Sequence, residues 1–159
     1  MRLKMIKDED FVNYRKASMF IGTITCTFKC CKEAGIPCEV CQNYSWNRNP
    51  IIEYSDEKIV QRYLDNPITE AIVFGGLEPM DQWDELYHLI SMIREKTDDD
   101  IVIYTGYTED EIKNKIKVLS AFKNIIFKFG RYRENNAKHL DPVLGVELAS
   151  DNQYGKKIS

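Results

Sequence analysis

The sequence predicts an α/β fold built on a mostly parallel sheet, and three observations carry that expectation. Short apolar, partly β-branched segments alternate with amphipathic segments of helical length. Each apolar segment runs into a glycine or a cysteine, and no repeat, low-complexity tract or flexible linker interrupts the alternation. Strands that alternate with helices pair in parallel through crossover connections. A chain of 159 residues, 43% apolar and 30% charged, is expected to form one domain over residues 1–159 with a core of its own.

The elements follow in order. Met19 to Thr23 reads as a strand that leads straight into a cysteine-rich segment. Ser55 caps a helix running to about Asn66, with Ile59, Val60, Tyr63 and Leu64 as its buried stripe and Pro67 as its stop. Glu70 to Phe74 is a buried strand ended by Gly75-Gly76. A helix from about Asp81 to Lys96 places Trp83, Leu86, Tyr87, Ile90 and Ile93 at the 3.6-residue period, which assigns Trp83 to the core. Ile101 to Thr105 is the third strand, followed by Gly106-Tyr107. Thr108 and Glu111 form a capping box for a helix carrying Ile112, Ile116 and Leu119. Asn124 to Phe129 is the fourth strand, and Gly130 ends it.

Charge and hydropathy exclude several function classes. The net charge is −3 with acidic and basic residues interspersed, so no nucleic-acid surface is expected, and Lys156-Lys157 is too short a basic run to form one. Met1 to Lys7 begins with positive charge, but Asp8-Glu9-Asp10 stands where a secretory signal needs an apolar region. No apolar run approaches the length of a membrane span. The expectation is a cytoplasmic protein with reduced thiols, which makes disulfides the weakest reading of its cysteines. His88, within a helix, and His139, in a polar loop, show no partner in the sequence and receive no role.

All five cysteines lie between Cys26 and Cys41, at positions 26, 30, 31, 38 and 41. Thiolates converge on a soft metal, an iron–sulfur cluster or each other. Cys38-x-x-Cys41 fits a zinc knuckle with Cys26 and Cys30 as a second pair, and spacing alone leaves zinc and iron–sulfur both open. Position adds to spacing. In parallel sheets ligands sit at the carboxyl ends of the strands. Those ends here are the cysteine loop, Gly75-Gly76-Leu77-Glu78-Pro79, Thr105-Gly106-Tyr107 and Lys128-Phe129-Gly130-Arg131, all on one rim. A functional centre is favoured there over a structural staple. A cluster held by three thiolates would keep one iron open to a ligand.

The run Cys26-x3-Cys30, then Val40-Cys41-Gln42-Asn43-Tyr44-Ser45-Trp46, followed by Gly75-Gly76-Leu77-Glu78-Pro79, resembles the radical S-adenosylmethionine enzymes. More narrowly, Tyr104-Thr105-Gly106-Tyr107, Lys128-Phe129-Gly130-Arg131 and Ser150-Asp151-Asn152-Gln153 resemble the small activating enzymes of anaerobic, class III ribonucleotide reductase. The similarity runs with gaps from about Ser18 to Gln153. It departs at the third cysteine position, where Glu33 stands, so that Cys41 follows an insertion; at the extra Leu77 before Glu78; and at Lys128, where an acidic residue is usual. Cys38 in place of Cys41, or Cys31 in place of Cys30, remain the alternative ligands.

The resemblance implies a compact partial (βα) barrel of the radical SAM type. It implies a [4Fe–4S] cluster on Cys26, Cys30 and Cys41, with S-adenosylmethionine as the second cofactor. Gly75 and Gly76 would let the backbone approach that cofactor's methionine end, Glu78 would accept from its amino group, Lys128 would pair with its carboxylate, and Thr105 would add a polar contact. The reaction implied is reductive cleavage to a 5′-deoxyadenosyl radical, which generates a glycyl radical on the large subunit of an anaerobic ribonucleotide reductase. A flavodoxin-like protein would be the electron donor. Two other readings stand beside it: a radical enzyme acting on a small heterocycle, of the kind that makes 7-carboxy-7-deazaguanine, and a non-enzymatic zinc-bearing α/β module. Arg131 to Leu140 reads as an exposed loop, with Tyr107 and Arg131 as rim residues facing a partner.

Overall fold

The four expected strands form the centre of a larger sheet in the computed structural model, which describes residues 1–41 and 43–159. In chain order the elements are β1 (Arg2–Leu3), β2 (Met5–Asp10), β3 (Ser18–Thr23), α1 (Lys29–Ala34), β4 (Ile52–Glu53), α2 (Asp56–Leu64), β5 (Ala71–Gly76), α3 (Trp83–Arg94), β6 (Asp100–Tyr104), α4 (Lys113–Leu119), β7 (Ile125–Phe129), β8 (His139–Leu140), β9 (Glu147–Leu148) and β10 (Tyr154–Lys157). Short 3-10 turns at Cys38–Val40, Tyr44–Arg48, Pro79–Gln82 and Asp110–Ile112 join them. The main sheet has the order β10-β7-β6-β5-β3-β2.

The protein is therefore α/β with a mixed six-stranded sheet. β3, β5, β6 and β7 run parallel, whereas β2 pairs antiparallel with β3 and β10 antiparallel with β7. The parallel strands are continuous apolar runs covered on both faces, which is why they show plainly in the sequence. The two edge strands do not show. β2 is Met-Ile-Lys-Asp-Glu-Asp and β10 is Tyr-Gly-Lys-Lys, and charged side chains are what keep an edge from pairing with another chain. Lys156 and Lys157 belong to β10 and bond Glu109 (2.6 Å) and Asn124 (2.7 Å), so they are not a free tail.

The helices start close to where the sequence places them. Ser55 caps α2, its hydroxyl accepting from the Lys58 N–H (3.3 Å). The segment after Glu78 begins as the 3-10 turn and becomes α3 only at Trp83, which packs against the core and stacks on Tyr87 at 5.7 Å. Leu64 and Tyr87, expected in the buried stripes, are 44% and 37% exposed because each lies at the margin of its stripe. His88 does have a partner: its Nδ1 lies 2.6 Å from Asp56 at the start of α2, on an aspartate that sequence periodicity does not single out.

The strand order positions the site. β3, β5, β6 and β7 are spatial neighbours in sequence order, so crossovers of one hand bring α2, α3 and α4 to the same face. Their side chains Ile59, Tyr63, Leu86, Ile90 and Leu119 share one core with Met19, Ile21, Phe74, Ile103 and Phe127. The alternate residues Phe20, Val73, Val102 and Ile126 pack on the other face beneath Tyr14, Leu144 and Leu148. Two residues further along each strand, the same face presents Gly22, Gly75, Tyr104 and Lys128. This face, opposite α2, α3 and α4 and at the carboxyl ends of the strands, is where the cysteine loop with α1 folds over. No helix among the described residues is long and apolar enough to cross a membrane.

Candidate metal centre

β3 delivers the chain into the cysteine loop, and three backbone contacts set the loop's course. The Ile24 N–H donates to Gln82 Oε1 (3.0 Å), the Glu78 N–H to the Thr25 carbonyl (2.8 Å) and the Thr27 N–H to Asp81 Oδ2 (3.0 Å). Phe28 then adopts a left-handed conformation, φ 52°, which for a bulky residue is strained. This bend starts α1, and the Phe28 N–H points back to Cys26 Sγ at 3.3 Å. α1 ends at Gly35, also left-handed, whose N–H donates to the Cys31 and Lys32 carbonyls. Cys41 follows the Cys38–Val40 turn, and the Tyr44–Arg48 turn places Trp46.

Cys26, Cys30 and Cys41 are half-buried and border one cavity of about 550 Å³. Gly75, Gly76, Glu78, Thr105 and Lys128 border the same cavity, so every predicted site residue meets there. Cys31 is buried and Cys38 opens a turn; among the described residues neither borders the cavity. All five thiols are free. Burial pushes the Cys26 thiol up to about 12 and raises Cys41 as well, with the Phe28 N–H opposing it at Cys26. A metal entering the site must therefore displace protons that the pocket holds firmly.

Glu78 is built into a cradle. Its Oε1 accepts from the Thr105 hydroxyl (2.7 Å) and the Met80 N–H (3.1 Å), and its Oε2 accepts from the Gly106 N–H (2.8 Å). Burial raises its pKa to about 7, although all three hydrogen bonds oppose the shift. The fold thus places a carboxyl group where ionisation costs stability, which is characteristic of ligand sites. A carboxylate offers about four acceptor positions, so Oε2 keeps one lone pair free for a cation. Thr105 serves Glu78 and also accepts the Tyr107 N–H (3.0 Å). Lys128 is buried, donates to the Gly130 carbonyl (3.0 Å), lies 5.9 Å from the Tyr104 ring centroid, and is lowered by burial to about 8.

The two glycines are accounted for by aromatic neighbours. A Cβ on Gly76 would lie 2.8 Å from the Trp46 ring, and one on Gly75 would lie 3.2 Å from the Phe20 ring. Trp46 rests on Gly22 and Gly76 like a knob in a slot, edge-on to Phe20. Gly76 also has φ +81°. Gly76→Ala is expected to cost about 2 kcal/mol or more, from the left-handed backbone and the clash together. Gly35→Ala, at φ +65° with nothing within 4 Å of the added carbon, meets only the backbone cost of about 1 kcal/mol. Urea unfolding of both variants measures the difference.

Sequence reasoning missed the groups that tie the loop down. Asp81, which the sequence marks only as a helix-start acid, holds the Thr27 N–H and the Tyr107 hydroxyl (2.7 Å). Tyr107 bonds Asp81, and Arg131 bonds Glu111 and Glu33. Glu111 makes only half of a capping box: it accepts the Thr108 N–H (2.9 Å), but the Thr108 hydroxyl bonds the same carboxylate instead of a helix N–H. The Ser150–Gln153 segment closes over the end of β7, with Gln153 Nε2 donating to the Gly130 carbonyl (3.2 Å) and Asn152 Nδ2 to the Arg131 carbonyl (2.8 Å).

A family model described as a 4Fe-4S single cluster domain matches residues 21–152. The chain belongs to that family. No curated protein and no solved structure matches it. The match extends across β3, the cysteine loop and every strand end that borders the cavity, and it favours iron–sulfur over the zinc reading that spacing left open.

The donor set fits a cluster of this family. Three thiols border the cavity without meeting at a point. Among the described residues no three His, Cys, Asp or Glu side chains converge on a single metal ion. Cys26, Cys30 and Cys41, which border one cavity, would hold the cluster.

Proposed function

We propose that the protein uses a [4Fe–4S] cluster on Cys26, Cys30 and Cys41 to cleave S-adenosylmethionine reductively and so to create a glycyl radical on a partner, the large subunit of an anaerobic ribonucleotide reductase. The observation that carries this reading is the convergence of three thiols, Gly75-Gly76, Glu78, Thr105 and Lys128 on one cavity. They come from four separate strand ends. Its volume of about 550 Å³ falls within the range of sites for molecules of cofactor size.

With three protein ligands, one iron would stay open to the substrate's amino and carboxylate groups. When bound and reduced, the cluster supplies the electron that breaks the sulfonium carbon–sulfur bond, releasing methionine and a 5′-deoxyadenosyl radical able to take hydrogen from a glycine Cα. The chain's own residues bind and orient. Glu78 Oε2 accepts a hydrogen bond from the amino group, Lys128 pairs with the carboxylate, and Thr105 keeps Glu78 in place. Phe20, Trp46 and Tyr104 line the cavity with apolar surface for the rest of the nucleoside. The helices on one face and the cavity on the other suit the partial (βα) barrel of the radical SAM type. A low-potential donor such as a flavodoxin-like protein in the cytoplasm completes the scheme.

Lys128→Met is expected to weaken S-adenosylmethionine binding about tenfold or more, because one charge-assisted contact is lost, while the buried ammonium's desolvation cost disappears. Equilibrium dialysis against the reconstituted protein measures the first effect and thermal melting the second. The reading as a whole is tested by the electron paramagnetic resonance spectrum of the reduced cluster. A shifted spectrum on adding S-adenosylmethionine supports it, and an unchanged spectrum in saturating cofactor sinks it. A glycyl signal on the reductase subunit identifies the substrate. Turnover of a small heterocycle without any protein would move the reading to the deazapurine type.

A further inference from the structure

α1 carries Cys30 and is six residues long, so it cannot hold its own shape and takes its orientation from tertiary contacts. Only one of its residues, Cys31, is buried. Its other attachments are charged and run to the opposite side of the cavity rim. Lys29 Nζ lies 2.5 Å from Glu111 Oε1, and Glu33 Oε2 lies 2.8 Å from Arg131 Nε. Arg131 in turn grips Glu111 with both ends of its fork, Nη1 at 2.8 Å from Oε2 and Nη2 at 2.7 Å from Oε1. It also donates to the Gly106 carbonyl (3.3 Å) and stacks 5.8 Å from the Tyr107 ring centroid.

The result is a closed quartet, Lys29–Glu111–Arg131–Glu33, that joins α1 to the loops after β6 and β7. Arg131 is its hub, and its side chain is only 14% exposed. It borders both the main cavity and a small hollow shared with Cys26 and Cys30. Bidentate geometry and low exposure set this cation apart from ordinary surface pairs, which contribute little.

We propose that Arg131 is a positioning residue for the metal centre. Through Glu111 and Glu33 it fixes the helix that presents Cys30, and its guanidinium balances the two carboxylates on the Cys30 side of the cluster. The proposal rests on the cluster and not on the S-adenosylmethionine reading, so either can fail alone. Without the guanidinium the carboxylates of Glu111 and Glu33 would outweigh Lys29 and disfavour the reduced cluster, and the fork, acting through Glu111 and Lys29, steadies the helix that carries Cys30.

The test compares Arg131→Gln, Arg131→Lys and Glu33→Gln in the anaerobically reconstituted full chain. Iron loss to a chelator, midpoint potential and the melting temperature of the cluster-free protein are measured for each. Arg131→Gln is expected to lose iron roughly tenfold faster or more, with a more negative midpoint potential. Arg131→Lys restores the potential but not the retention, since a point charge lacks the fork. Glu33→Gln, which frees one of the two α1 links and removes a negative charge beside Arg131, loses iron faster at a midpoint potential no more negative than wild type. If Arg131→Gln does not fold, the other two variants decide. Wild-type retention and potential in Arg131→Gln would overturn the proposal. So would a lower melting temperature alone, with retention and potential as in wild type, or wild-type retention in both Arg131→Lys and Glu33→Gln.

Discussion

Serine in place of Cys26, Cys30 or Cys41 is expected to remove the iron–sulfur centre from the anaerobically reconstituted protein, each substitution by itself. These three thiols border the cavity, and a cluster that already has one protein ligand fewer than four has none to spare. Cys38→Ser should leave iron and sulfide per chain at the wild-type level, because its thiol does not border the cavity. Cys31→Ser separates two effects. Its thiol lies 3.9 Å from that of Cys30 and is buried at 2% exposure. A hydroxyl there costs about 1–3 kcal/mol of stability for lack of a good partner, while the cluster stays. Iron and acid-labile sulfide assays, set beside melting curves, check all five positions. A colourless Cys38→Ser protein would transfer the third ligand from Cys41 to Cys38.

The second large effect is expected at Glu78. Glu78→Ala leaves the Thr105 hydroxyl and the Met80 and Gly106 N–H groups without their acceptor. Water entering the enlarged cavity offsets part of this, so the loss is about 3 kcal/mol, or roughly 10 °C in melting temperature. Glu78→Gln keeps an acceptor and reads out the charge. In the wild type the carboxyl titrates at about 7, raised from 4.5, so the folded state resists ionisation. Stability from this group is full below pH 4.5 and falls as pH rises through 7, at about 1.4 kcal/mol per unit between the two. Accepting a hydrogen bond from the substrate's amino group has the opposite dependence: the ionised carboxylate is the stronger acceptor, so affinity through this contact rises as pH climbs through about 7. Affinity for S-adenosylmethionine measured from pH 6 to 8 should show that rise in the wild type and lose it in Glu78→Gln. A slope that survives in the variant would remove Glu78 from the binding role.

How much of this was legible beforehand depends on what each residue answers to. β3, β5, β6 and β7 are buried on both faces and announce themselves as apolar runs, and α2 and α3 show the helical period. β2 and β10 answer instead to solvent and to the need for a protected edge, and their lysines and aspartates mask them. The candidate site was legible because parallel strands deliver their loops to one rim, so the motif after each strand could be placed without knowing any contact. Two kinds of information were absent. Trp46 sits on Gly22 and Gly76, a fit between residues 24 and 30 positions apart that no spacing rule encodes. The quartet around Arg131 joins positions as far apart as Glu33 and Arg131, and long-range ion pairs leave no periodic trace. Gly76 illustrates the limit of reading by residue type: its glycine signals close approach, but the approaching group is an indole as well as any ligand.

The central claim is that three thiolates hold a cluster with one iron free for a sulfonium nucleotide. The most direct measurement is the 5′-deoxyadenosine released when the anaerobically reconstituted protein, carrying its full iron, is given S-adenosylmethionine and a strong one-electron reductant. Release in proportion to cluster content is expected, and none in Cys41→Ser. A fully loaded, reducible cluster that yields no 5′-deoxyadenosine would contradict the claim.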